Sequence, residues 1–214
     1  VSPPNQKMRL EAKSPAKHWK PCPLGRGSSQ TKGFEMEDIL SCINALKNTA
    51  RTGWMQRGIS PAISENIASH SYEVALLSLY ITERAKREGI ELKTDKVVIM
   101  ALLHDLPECI SGDVNPFVKN SIGSEKKHEL ESEALKKVLN INELLGIYTE
   151  YAERSSLESL VVELSDKLST IIQARRYSKL GYDLHEMIFN LQEEVKKLLE
   201  RVDERLAKIV REIL

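Results

Sequence analysis

Two histidines and two aspartates of this 214-residue sequence fall where the apolar pattern requires an interior. His70 shares a helical stripe with Val74 and Leu77. His104 and Asp105 are adjacent at the end of another apolar run, and Asp166 interrupts the stretch from Leu160 to Ile172. An unpaired imidazole or carboxylate in such surroundings costs on the order of several kcal/mol, so these groups pair with one another or share a cation. Two nitrogen and two oxygen donors suit Mn, Fe, Co, Ni, Cu or Zn better than Ca, without singling out one metal. A cation so held lowers the pKa of water toward about 7 and offsets charge on a phosphoryl oxygen, the chemistry of phosphate ester hydrolysis. A histidine on an apolar helix face is more often a hydrogen-bonded core residue, so each of the four taken alone leaves both readings open.

The elements that must position these groups are helical. Periodicity begins near Met36, with Ile39, Ile43, Leu46 and Ala50 on one face. A second helix is predicted over Glu65 to Glu88, with Val74, Leu77 and Ile81 inward and Gly89 as its C-terminal stop. A third starts at Thr94 as N-cap, carries Val97, Met100, Ala101 and His104 on one stripe, and breaks around Pro107. Turn formers between Ser111 and Gly123 predict a loop. Further helices follow over Glu125 to Leu139, Asn142 to Glu153, Ser156 to Ser178 and Leu184 to Leu214, and no stretch alternates as a strand would. The predicted fold is all-α, with the folded domain over residues 35–214 and a long C-terminal helix.

Residues 1–34 read differently: five prolines and seven Lys or Arg against one Glu predict a disordered basic arm. That arm either touches a polyanion or is sequence upstream of a true start near Met36. Over the whole chain 31 basic residues balance 31 acidic ones, so no net field draws the molecule to nucleic acid or an anionic membrane. No apolar run approaches the roughly 20 residues of a bilayer crossing. Cys22, Cys42 and Cys109 show none of the paired spacings of zinc knuckles or secreted disulfide frameworks, which predicts free thiols and a cytoplasmic setting. Cys109, beside Glu108, is expected to be a small apolar core residue and not a nucleophile.

The order His70, His104-Asp105, Asp166 resembles the HD superfamily. Arg51-Thr-Gly-Trp54, Glu65-Asn-Ile-Ala-Ser-His70 and His104-Asp-Leu-Pro-Glu108-Cys-Ile-Ser-Gly112-Asp113 are similar to its 5′-deoxynucleotidase branch, a likeness that runs from about Ile39 to Tyr182. The resemblance implies an HD-domain helical bundle and one divalent transition metal ion held by His70, His104, Asp105 and Asp166. It implies Glu108 as general acid or base, Arg51 on the phosphate, and Trp54 and Asp113 at the sugar. Glu108 otherwise reads as a carboxylate at a helix start, Trp54 as a core aromatic and Asp113 as a turn residue. Arg51 and Trp54, three positions apart, can face the same way, as a phosphate fork and a flat wall.

The implied reaction is removal of phosphate from (deoxy)ribonucleoside 5′-monophosphates by a cytoplasmic homodimer, with the final helix as a contact element. Alternatives keep the site but change the substrate to a cyclic nucleotide or a nucleoside triphosphate, or make the protein a metal-containing nucleotide sensor without turnover. Lys119, Lys127, His18, His128 and His185 are placed outside the site.

Overall fold

Apolar side chains recurring every three to four residues wind nearly every such run into a helix with one face inward. The computed structural model describes residues 36–115, 118, 121 and 123–214. The expected basic arm and Lys119 lie outside the described residues. The helices are α1 (Met36–Asn48), α2 (Thr52–Met55), α3 (Ile67–Arg87), α4 (Thr94–Leu103), α5 (Glu108–Ser111), α6 (Ser124–Leu139), α7 (Asn142–Glu153), α8 (Leu157–Lys179), α9 (His185–Leu199) and α10 (Glu204–Arg211). Among the described residues no strand ladder forms; one isolated bridge pairs Ala50 with Asn66. The all-α expectation holds.

Helix α8 is the axis of the bundle, packed against α3, α4, α7 and α9. Its Val161, Leu164, Leu168 and Ile171 are fully buried with Val74, Ile81, Val97, Met100, Val195 and Leu206. Its start is fixed by a reciprocal capping box, in which Ser156 accepts from the Ser159 N–H and Ser159 accepts from the Ser156 N–H. A second cluster joins α1, α5, α6 and α7 through Cys42, Leu46, Cys109, Leu135 and Tyr148. A third gathers Trp54, Ile59, Ala174, Tyr177 and Leu184.

Several boundaries differ from the sequence reading, each for a local reason. Helix α3 begins at Ile67 because the Asn66 side chain accepts from the Ser69 N–H and caps it. Gly89 closes this end of the chain as expected, at φ 78°. Thr94 lies inside α4, and its hydroxyl donates to Glu83 Oε1 at 2.7 Å. Ile43 is 43% exposed; the buried face of α1 runs through Cys42 and Leu46, about 100° around the helix from it. The run expected as one helix from Leu184 to Leu214 is two. The Asp203 carboxylate accepts from the Arg205 N–H and starts α10, which turns back onto α3 and buries Leu206, Ala207 and Val210.

The free-thiol expectation is corrected for two of the three cysteines. Cys42 on α1 and Cys109 on α5 form a disulfide across 67 positions of sequence, with their Cα atoms 5.1 Å apart. Packing of α1 on α5 makes this pair, so no spacing rule could indicate it.

Candidate metal centre

Three elements converge on one point. α3 contributes His70, the C-terminal end of α4 contributes His104 and Asp105, and α8 contributes Asp166. His70 is fully buried, with Nε2 2.9 Å from Asp166 Oδ1 and 3.8 Å from Asp105 Oδ2. His104 Nε2 lies 3.2 Å from Asp105 Oδ2, and the two imidazole centroids are 5.5 Å apart. Donor atoms of His70, His104 and Asp166 all fall within 4.8 Å of one another. The structure therefore brings together all four residues singled out as ligands.

His104 supplies the test of whether a cation fits. Its Nδ1 donates to the Ala101 carbonyl at 2.7 Å, which leaves Nε2 as the nitrogen able to ligate. That Nε2 is buried and, although 3.2 Å from Asp105 Oδ2, is not aligned with it or any other group as a hydrogen bond. An orphaned ring nitrogen beside a second imidazole and two carboxylates is the donor set of a divalent transition metal.

The charges agree with this. Burial alone would raise the Asp105 carboxyl, but His104, His70 and Arg51 outweigh it and hold the group well below the usual carboxylate range. Asp166 is likewise held down against its burial, by its hydrogen bond to His70 and by His104 and Arg51. Burial disfavours the His104 imidazolium, yet Asp105 and Asp166 overcome it and raise the His104 pKa. Without a cation, a proton is drawn to the place the cation would take.

Arg51 precedes α2 and reaches into the centre. Its Nη1 is 2.9 Å from His70 Nδ1 and donates to Thr170 Oγ1 at 3.2 Å. Trp54 is buried, edge-on to Tyr177 at 5.2 Å, and its Nε1 donates to Glu65 Oε2 at 3.1 Å. Asp113 Oδ2 accepts from the Thr52 N–H at 2.5 Å and the Thr52 hydroxyl at 3.0 Å, tying the segment after α5 to the start of α2.

Two cavities meet at Arg51, Asp166 and Lys167. One, of about 420 Å³, is bordered by Trp54, Arg57, Asp113, Met187 and Asn190. The other, of about 550 Å³, is bordered by His104, Asp105, Glu108, Lys127, His128 and Arg154. Glu108 is buried on the wall it shares with Asp105.

Some groups at the site had no role in the sequence reading. Glu65 Oε2 accepts from Trp54 and lies 3.5 Å from Arg51 Nη1; its place in the motif before His70 was the signal. Lys167 follows Asp166 directly, and its Nζ is 2.5 Å from Glu194 Oε2. Lys127 and His128, placed outside the site from sequence, line the second cavity, where Lys127 pairs with Glu131 and His128 stacks on Tyr148 at 6.1 Å.

A family model described as HD domain matches residues 43–209. The chain belongs to the HD-domain family. Human 5′-deoxynucleotidase HDDC2 is 32% identical over 150 residues, 67% of this chain and 69% of that protein. The fission yeast 5′-deoxynucleotidase hdd1 is 28% identical over 69% of this chain and 75% of its own length. Among solved structures, a conserved hypothetical protein from Pyrococcus furiosus superposes with a TM-score of 0.73 at 32% identity, covering 83% of this chain and 98% of that one. A Pyrococcus horikoshii protein matches with the same TM-score and coverage at 30% identity. These likenesses give this HD-domain chain a helical fold in common with the Pyrococcus structures, and no helix among its described residues is long and apolar enough to cross a membrane.

Proposed function

We propose that this HD-domain protein is a metal-dependent phosphohydrolase that removes the phosphate of deoxyribonucleoside 5′-monophosphates. The observation that carries the reading is the orphaned, buried His104 Nε2 among His70, Asp105 and Asp166, in a chain similar to proteins named 5′-deoxynucleotidase. A divalent cation held by His70, His104, Asp105 and Asp166 would polarise water and a phosphoryl oxygen.

The chain's own residues do the rest. Arg51, always charged and offering several N–H groups in a plane, orients the phosphate. Glu108 moves the proton, taking it from the attacking water or giving it to the departing sugar oxygen. Trp54 and Asp113 border the 420 Å³ cavity that we assign to the nucleoside, Asp113 through the segment it ties to α2.

We also infer a homodimer. Apart from Phe189, the final helices turn their large apolar residues toward the core, so the contact surface is instead the exposed stripe of Tyr72, Leu76, Leu79 and Tyr80 on α3.

The test is purified protein stripped of metal and refilled with Co²⁺, Mn²⁺ or Zn²⁺, assayed on a panel of ribo- and deoxynucleotides. Phosphate release from deoxyribonucleoside monophosphates, lost with chelation, is expected. Equal rates on ribo- and deoxy-monophosphates would remove the roles given to Trp54 and Asp113. Glu108→Gln should keep the metal and lower turnover by about 10²–10⁴-fold.

A further inference from the structure

His70 can present Nε2 to a cation only if its proton sits on Nδ1, and a buried N–H needs an acceptor. Three side chains surround Nδ1. Arg51 Nη1, at 2.9 Å, can only donate, so it bonds Nδ1 in the tautomer whose Nε2–H is given to Asp166 Oδ1 at 2.9 Å, and it offers no acceptor to an Nδ1–H. Glu65 Oε2 is 4.0 Å away, beyond a hydrogen bond. Ser169 Oγ is 3.2 Å away, on α8 and fully buried.

The direction of the Ser169 hydroxyl is itself set. It donates to Glu73 Oε2 at 3.1 Å, so its lone pairs turn back toward the imidazole. Glu73 is in turn clasped by Arg176, whose Nη2 lies 3.0 Å from Oε1. The helical repeat produces this alignment. Glu73 is three residues after His70 on α3, and Ser169 three after Asp166 on α8, so each stands on the same face as a ligand. For Nδ1 to donate to Ser169, the Arg51 N–H aimed at it from 2.9 Å must swing away, and Thr170 at 3.2 Å and Glu65 at 3.5 Å are the acceptors it turns to.

We propose that Ser169 and Glu73 are positioning residues for the metal: a chain from His70 through Ser169 to Glu73 holds the imidazole in the tautomer and orientation that leave Nε2 free to ligate. The inference rests on the metal assignment of the proposed function, and it gives two residues outside the walls of the two cavities at the centre a part in metal retention.

The experiment measures affinity for Co²⁺ and Mn²⁺ by competition with a chromophoric chelator, without substrate, for the wild type, Ser169→Ala, Glu73→Ala and the double variant. Ser169→Ala should weaken binding by about 10–100-fold. Glu73→Ala should weaken it less, because the hydroxyl stays but is no longer aimed. The double variant should lie within about threefold of Ser169→Ala alone, since both changes break one chain. In the Zn²⁺-loaded wild type, nitrogen NMR should place the His70 proton on Nδ1.

Wild-type affinity in the single variants, or losses that multiply in the double variant, would overturn the proposal; a merely structural role would lower melting temperature and leave affinity in place. Should Ser169→Ala fail to fold, Glu73→Ala decides alone, its side chain being 23% exposed. A wild type that binds no metal would sink the functional reading itself, a different result from variants that bind as well as a metal-binding wild type.

Discussion

Removing the Cys42–Cys109 bond should cost the fold a large share of its stability. The bond closes a loop across 67 positions. The chain-entropy relation then gives about 4.4 kcal/mol at 25 °C from the freedom denied to the unfolded chain. For a domain of this size about 2–4 °C of melting temperature accompanies each kcal/mol, so Cys42→Ser/Cys109→Ser should melt about 9–17 °C below the wild type. Both sites are buried, and Leu46 of α1 and Leu106, just before α5, belong to the same apolar cluster, so the native packing survives the change. Calorimetry on metal-free protein is the assay, because thiol reductants would bind the same metals as the site. Alkylation in denaturant provides the control, with one reactive thiol before reduction and three after. A double variant that melts within about 2 °C of an oxidised wild type would refute the loop-closure reasoning.

Leu168, fully buried on the axial helix, should cost about 2–5 kcal/mol on truncation to alanine, read from urea unfolding with the slope unchanged. Metal affinity should depend on pH through His104. Its pKa is raised, so the proton competes with the cation for Nε2. Binding is then full above that raised value and weakens as pH falls through it, by about one decade per pH unit for one displaced proton. Asp105 and Asp166, held ionised, should add nothing in that window. A flat chelator titration between about pH 8 and pH 5.5 would refute the assignment of that nitrogen as a ligand.

Much of the frame is legible in the residues, because helix formation and burial are local. The 3.6-residue period already sets His70 beside Val74 on the inner face of α3, and the Gly89 stop and the inward stripe of α4 follow from short stretches read alone. The four candidate ligands stand out in the sequence too, since polar groups in apolar runs require partners wherever the runs fold. Ile43 escaped this reading because two apolar stripes on a short helix look equivalent until one of them meets a neighbour.

What the tertiary structure alone decided is which distant groups meet. His70 and Asp166 are 96 positions apart, His70 and Ser169 are 99, and Cys42 and Cys109 are 67. Such distances are set by how α3 lies on α8 and α1 on α5, which depends on side-chain packing over whole helix faces. The same packing turned Lys127 and His128 into cavity walls and folded α10 back onto α3. Sequence periodicity determines which face of a helix turns inward; only the assembled bundle determines what that face finds there, because contact energy belongs to pairs of surfaces and periodicity to one chain segment at a time.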